Sequence, residues 1–199
     1  MSKDQTSRRP RRSDAAANEA RILAAALALL ADGTDPSMAE VSAAAGVSRQ
    51  TVYSHYPSRK ALIAAVRSHL TAASSAALAG DLPAEPVAGL HAWLSRAWQL
   101  IDAYPALLNP VLFAAADDQG DVVVEHEPVI GGLRRVLAVA DADRVLADDA
   151  SPDWLVAAVI ALGHAAGQEV AAGRLGAAEA GAAFRSGALR LCVAPQHLP

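Results

Sequence analysis

A single cysteine, Cys192, occurs in 199 residues, which excludes a disulfide within the chain and any Cys-rich metal site. Aromatic side chains are also scarce, at 4% of the sequence, whereas 53% of residues are apolar and many of these are alanine. Strands draw on aromatic and β-branched residues, so this balance favours close-packed helices. Long apolar runs are missing too. Even a long one such as Trp154 to Gly163 is ten residues, short of the roughly 18 that a membrane span needs. The N-terminus is charged and has no apolar core segment, so no signal peptide is expected and the expected compartment is the cytoplasm.

Signatures of catalysis are equally thin. No Gly-rich phosphate loop, nucleophile elbow or two-histidine zinc helix occurs. Glu125-His126-Glu127 holds metal-capable side chains, but adjacent residues do not converge on one ion. Asp117, Asp118 and Asp121 lack the Gly and Glu of a calcium loop. Neither catalytic residues, metal ligands nor a cofactor are expected.

The net charge of −4 hides an asymmetry. Residues 1–70 carry ten Lys/Arg against six Asp/Glu, and residues 71–199 seven against fifteen. The first third is therefore basic, and the charge of the face that binds is what matters for nucleic acid.

That basic third contains the most structured stretch of the sequence. Ser37 with Glu40 has the spacing of a capping box. Met38, Val41 and Ala45 share one face of the helix it opens, and Gly46 suits a left-handed stop. Ser48 is a natural N-cap for a second helix, Arg49 to Tyr56, with Val52 inward and Arg49, Gln50, Thr51, Tyr53 and His55 outward. A short brace followed by a helix with a polar outer face is the layout of a helix-turn-helix.

The run SMAEVSAAAGVS from Ser37, followed by TVYSHYPSRKAL from Thr51, resembles the DNA-binding domain of the tetracycline-repressor (TetR) family over roughly residues 15–70. In one departure, the lysine usual at the start of the fourth helix falls on Arg59, with Lys60 beside it; either cation can meet a phosphate. The resemblance implies a DNA-contacting set of Ser37, Ser48, Arg49, Gln50, Thr51, Tyr53, His55, Tyr56, Arg59 and Lys60. First-turn residues of the second helix reach base edges, where Arg prefers guanine and Gln adenine.

In chain order, residues 1–13 with RRPRR at 8–12 form an expected disordered basic arm. Residues 14–70 form a three-helix DNA-binding domain, its first helix capped by Asp14 and carrying Ile22, Leu23, Ala26, Leu27 and Leu30 on one stripe. Residues 71–199 are expected to form a helical domain, for ligand binding and dimerisation as the resemblance implies, in an all-α chain of about nine helices. The Val122–Val124 run reads as loop or helix entry. Ser151-Pro152-Asp153 opens a helix to about Gly173, and a last helix spans 177–193. Both are apolar nearly all round and must be covered on more than one side. This suggests a homodimer through a four-helix interface, the glycines and alanines giving close approach.

Trp93, Trp98, Ile101, Leu112, Phe113, His164 and Gln168 are the candidates for lining an interior cavity, the usual place for a small ligand. The resemblance implies a dimeric regulator that binds a palindromic duplex operator and is released by a small apolar effector. Two alternatives stand beside it: a regulator of the same fold with no ligand, or a helical enzyme or carrier.

Overall fold

The computed structural model describes residues 8–109, 111–114, 127–147 and 151–198, with no side chain described at 8–13, 113, 114 or 127. Asp117, Asp118, Asp121, the Val122–Val124 run, Glu125 and His126 lie outside the described residues.

Nine α-helices occupy them: α1 (Arg8–Ala31), α2 (Met38–Ala45), α3 (Arg49–His55), α4 (Arg59–Ala77), α5 (Pro86–Ala103), α6 (Val111–Ala114), α7 (Glu127–Ala142), α8 (Pro152–Ala171) and α9 (Ala177–Cys192). 3₁₀ turns at Pro105–Leu108 and Pro195–His197 complete the set. The only β pairing among the described residues is one antiparallel bridge, Leu146 with Val193. It ties the end of α9 to the turn after α7, where Arg144 adopts φ 55°.

Most expected boundaries hold, and the start of the first helix moves. Helix α1 begins at Arg8, so RRPRR forms its opening turns in place of a disordered arm, and Asp14 lies inside the helix instead of capping it. A proline near a helix start is tolerated because the amide it lacks would have no intrahelical partner. Pro57 falls before the cap of α4, where Ser58 accepts from the Ala61 amide. Helix α5 is capped by the Glu85 carboxylate, with Pro86 at its first position.

Two cores form. The first gathers Ile22, Ala26 and Leu30 of α1, Val41 of α2, Val52 of α3 and Leu62 and Val66 of α4, all at most 2% exposed. Each large apolar side chain so buried contributes roughly 1.5–3 kcal/mol. The second joins α5, α7, α8 and α9 through Leu94, Trp98, Leu137, Leu155, Phe184 and Leu189. The chain beyond Tyr104 turns back to the first core, which also contains Ala106 and Leu112. Cys192 is fully buried, and its burial pushes the thiol up to about 12.

Candidate nucleic-acid interface and interior cavities

The brace α2 is set at both ends by local chemistry. Ser37 Oγ accepts from the Glu40 amide at 3.3 Å while the Glu40 carboxylate accepts from the Ser37 amide at 2.8 Å. These bonds hold the Glu40 carboxyl below its ordinary range. Gly46, at φ 63° and ψ 35°, ends the helix in the left-handed region, which a β-carbon would disfavour. Two residues later Ser48 Oγ accepts from the Thr51 amide at 3.1 Å and lies 2.9 Å from the Thr51 hydroxyl. Brace, turn and second helix thus follow from a capping box, one glycine and one serine.

Helix α3 turns Val52 fully inward and leaves Arg49, Gln50 and Tyr53 exposed, Tyr53 at 51%. Thr51 and His55 are half-buried along the same helix. An exposed Tyr, Arg and Gln on a short helix braced from behind is a surface able to enter a major groove. Lys60, in the first turn of α4, is exposed nearby in sequence.

Two expected contact residues are placed differently. Tyr56 is only 7% exposed and packs into the first core. Burial, with the Glu19 charge, raises its phenol pKa; it supports α3 from behind and its ring is not offered to solvent. The aromatic position after the histidine therefore has an apolar environment. Arg59 is half-buried, paired with the Asp35 carboxylate and donating Nε to the Pro36 carbonyl at 3.2 Å. It clamps the start of α4 to the loop before α2, and Asp35 competes with any phosphate for the same guanidinium. Ser37 and Ser48 have their hydroxyls engaged as caps.

Residues 22–66 match the sequence family described as bacterial regulatory proteins, tetR family. They are a TetR-family DNA-binding domain. The chain is also similar to the HTH-type transcriptional repressor LfrR of Mycolicibacterium smegmatis, 42% identical over 57 residues. That match covers 29% of this chain and 30% of LfrR, so the chain spans under a third of the length of that curated relative. Solved structures extend the likeness of fold to both domains. The TetR-like regulator LfrR from Mycobacterium smegmatis in complex with proflavine superposes with TM-score 0.65 at 24% identity, over 89% of this chain and 97% of that one. The MbdR regulator from Azoarcus sp. CIB gives 0.71 at 18% identity, over 89% and 100%.

In this TetR-like fold the expected ligand residues divide. Trp98, Ile101 and Gln168 line a cleft of about 570 Å³, whose other walls include Leu30 to Gly33 of the DNA-binding domain and Leu108 and Asn109. Trp93, Ile101 and His164 border an inner space of about 60 Å³, room for about two waters. Burial there lowers the His164 pKa. Leu112 belongs to neither; at 1% exposed it sits in the first core because the chain after Tyr104 folds back over α1 and α4. The Phe113 side chain lies outside the described residues.

Sequence reading missed the residues that join the two domains. Asn109 Nδ2 donates to the carbonyls of Leu30 and Thr34, both at 2.8 Å, and its Oδ1 accepts from the Val111 amide. Arg67 Nε, in α4, donates to the Leu112 carbonyl at 2.7 Å. In sequence Asn109 precedes a proline and signals only a turn.

Helices α8 and α9 pack together, but their glycines face inward. A β-carbon at Gly167 would lie 2.2 Å from Leu108 Cδ1, and one at Gly181 2.3 Å from Trp98 Nε1. At Gly163, Gly167 and Gly181 glycine therefore serves packing within the protomer, while Gly187 is half-buried with only Leu162 near it. What α8 leaves outside is Trp154, 60% exposed, with Ala157, Ala161 and Ala165. By length and composition α8 could cross a membrane, with mean hydropathy 1.3, although a third of that window is buried inside the protein.

Proposed function

We propose that the chain is a ligand-responsive, DNA-binding transcriptional regulator, and not an enzyme, acting in the cytoplasm as a homodimer on a palindromic operator. The observation that carries this reading is α3: a capped helix with Val52 buried and Arg49, Gln50 and Tyr53 presented together, within residues that match a DNA-binding family. Arg49 and Gln50 are the candidates for base edges; Tyr53, His55 and Lys60 are the candidates for phosphates.

Dimerisation is assigned to the outer faces of α8 and α9. Trp154 and the exposed alanines of α8, with Ala178, Ala182 and Ala183 of α9, leave an apolar surface on which α9 also exposes Glu179 and Arg190. Covering it with a second copy makes a four-helix interface. The dimer must hold its two α3 helices about 34–36 Å apart, or a multiple of this, to meet successive major grooves.

The effector site is assigned to the 570 Å³ cleft, because both domains line it. An occupant there touches the end of α1 and the α5 wall at once, so it can favour one arrangement of the two domains. It releases DNA only by the difference between its affinities for the two arrangements. LfrR was solved with proflavine, a planar cation, and the rim of this cleft carries Asp32 and Asp102, so proflavine is the first probe for it.

Selection of duplexes from a random pool tests the regulator reading. The expected outcome is an inverted repeat, with proflavine then weakening the complex in a mobility-shift titration. Absence of any enriched sequence at moderate salt would refute DNA-sequence recognition; enrichment without a proflavine effect would leave recognition standing and remove proflavine-like cations from the effector class.

A further inference from the structure

A second cavity, of about 210 Å³, lies away from the interdomain cleft, between the α4–α5 turn, α5 and α7; Gly80, Leu82, Trp93, Gly132, Arg135 and Val136 line it. Trp93 is 2% exposed, and its indole Nε1 has no hydrogen-bond partner among the described residues. Buried N–H groups are nearly always paired, so an unpaired one bordering a cavity marks a place for an acceptor. Its direction is fixed by Gly132, where a β-carbon would come within 2.8 Å of Nε1 but 3.6 Å from Cε2. The N–H edge therefore packs against Gly132, which also lines this cavity.

Charge points the same way. Arg135 borders the cavity, is exposed, and makes no ion pair among the described residues, while its neighbour Arg134 pairs with Asp153 at 3.1 Å. The opposite wall is held in place from α5. Arg96 donates to the carbonyls of Ala79 at 2.8 Å, Gly80 at 3.2 Å and Asp81 at 2.7 Å. An unpaired buried donor, a cation and apolar walls at Leu82 and Val136 in one cavity describe a site for an apolar anion.

We propose that this cavity binds a small apolar monocarboxylate, one carboxylate oxygen accepting from Trp93 Nε1, the charge facing Arg135 and the hydrocarbon part lying against Leu82 and Val136. Leu78, the C-cap of α4, also lines the cavity. The occupant therefore contacts the helix whose other end carries Lys60. The site is independent of the effector assignment made for the interdomain cleft.

Calorimetric titration of the full chain with sodium benzoate and sodium hexanoate, with benzyl alcohol as the uncharged control, tests it. Expected is one saturable site per chain for at least one carboxylate, roughly tenfold weaker in Trp93→Phe and in Arg135→Gln, with benzyl alcohol at least tenfold weaker still. Thermal melts establish that the variants fold. Should Trp93→Phe melt early, Arg135→Gln, changed at the surface, decides. No saturable heat from either carboxylate, equal affinity for benzyl alcohol, or carboxylate binding unchanged in the folded variants, as binding in the larger cleft would give, overturns the proposal.

Discussion

The buried amide of Asn109 donates to the carbonyl oxygen of Leu30 at 2.8 Å, across 79 positions of sequence. The same nitrogen donates to Thr34 and the amide oxygen accepts from Val111, so one side chain satisfies the C-terminal end of α1 and the entry to α6. Asn109→Ala leaves those carbonyls without this donor in a site where the side chain is 2% exposed. Unfolding in urea should show a loss of about 2–3 kcal/mol. A loss under about 0.5 kcal/mol, the range of an ordinary surface substitution, would mean that Asn109 adds little to the hold between the two domains.

At the DNA surface, charge and shape separate in a salt titration. Lys60→Ala should weaken binding to matched and scrambled duplexes alike and reduce the salt slope by about one, since one fewer counterion is released. Tyr53→Phe removes a neutral hydroxyl and should weaken binding with the slope unchanged. Gln50→Ala should relax preference at one base position, by about 1–3 kcal/mol. A Gln50→Ala variant with an unaltered base preference would remove that residue from base readout.

Burial lowers the His164 pKa from its ordinary 6.5. Between 6.5 and the lower folded value the unfolded chain takes up a proton that the folded chain does not, so stability falls as pH drops below about 6.5. Glu40 and Glu169 are lowered from 4.5, the first by its bonds to Ser37 and the second by Arg174. Their contributions are lost only as pH falls through the carboxylate range, so the windows separate. His164→Gln should flatten the decline in urea stability between pH 7 and 5.5; a decline of unchanged steepness would assign it to other groups.

The dimer face is tested at Ala161, exposed on α8, and not at Leu162, which is half-buried in its own protomer and packs against the second core. Ala161→Asp should leave the melt of the protomer nearly unchanged, yield monomers in sedimentation, and abolish operator binding. An intact dimer would place the interface elsewhere.

The parts legible in sequence are those built from short-range chemistry. The capping box at Ser37 and Glu40, the Gly46 stop, the Ser48 cap and the single inward Val52 each act over a few residues, and each stands where expected. Features set by distant neighbours were not legible. Tyr56 faces the core and Arg59 meets Asp35 because of how α1 and the loop before α2 pass behind them. Leu112 left the expected ligand set because the chain doubles back after Tyr104, a path that no periodicity records. The glycines of α8 and α9 signalled close approach correctly, but not that the approaching groups are Leu108 and Trp98 of the same protomer.

The central claim is that two α3 helices, held by one dimer, enter the duplex on the same face. Hydroxyl-radical footprinting on a selected duplex tests it most directly. Two symmetry-related protected patches should appear, their centres about 10–10.5 base pairs apart or a multiple of this, both lost with Ala161→Asp. A single patch, or two patches that survive in the monomeric variant, would contradict it.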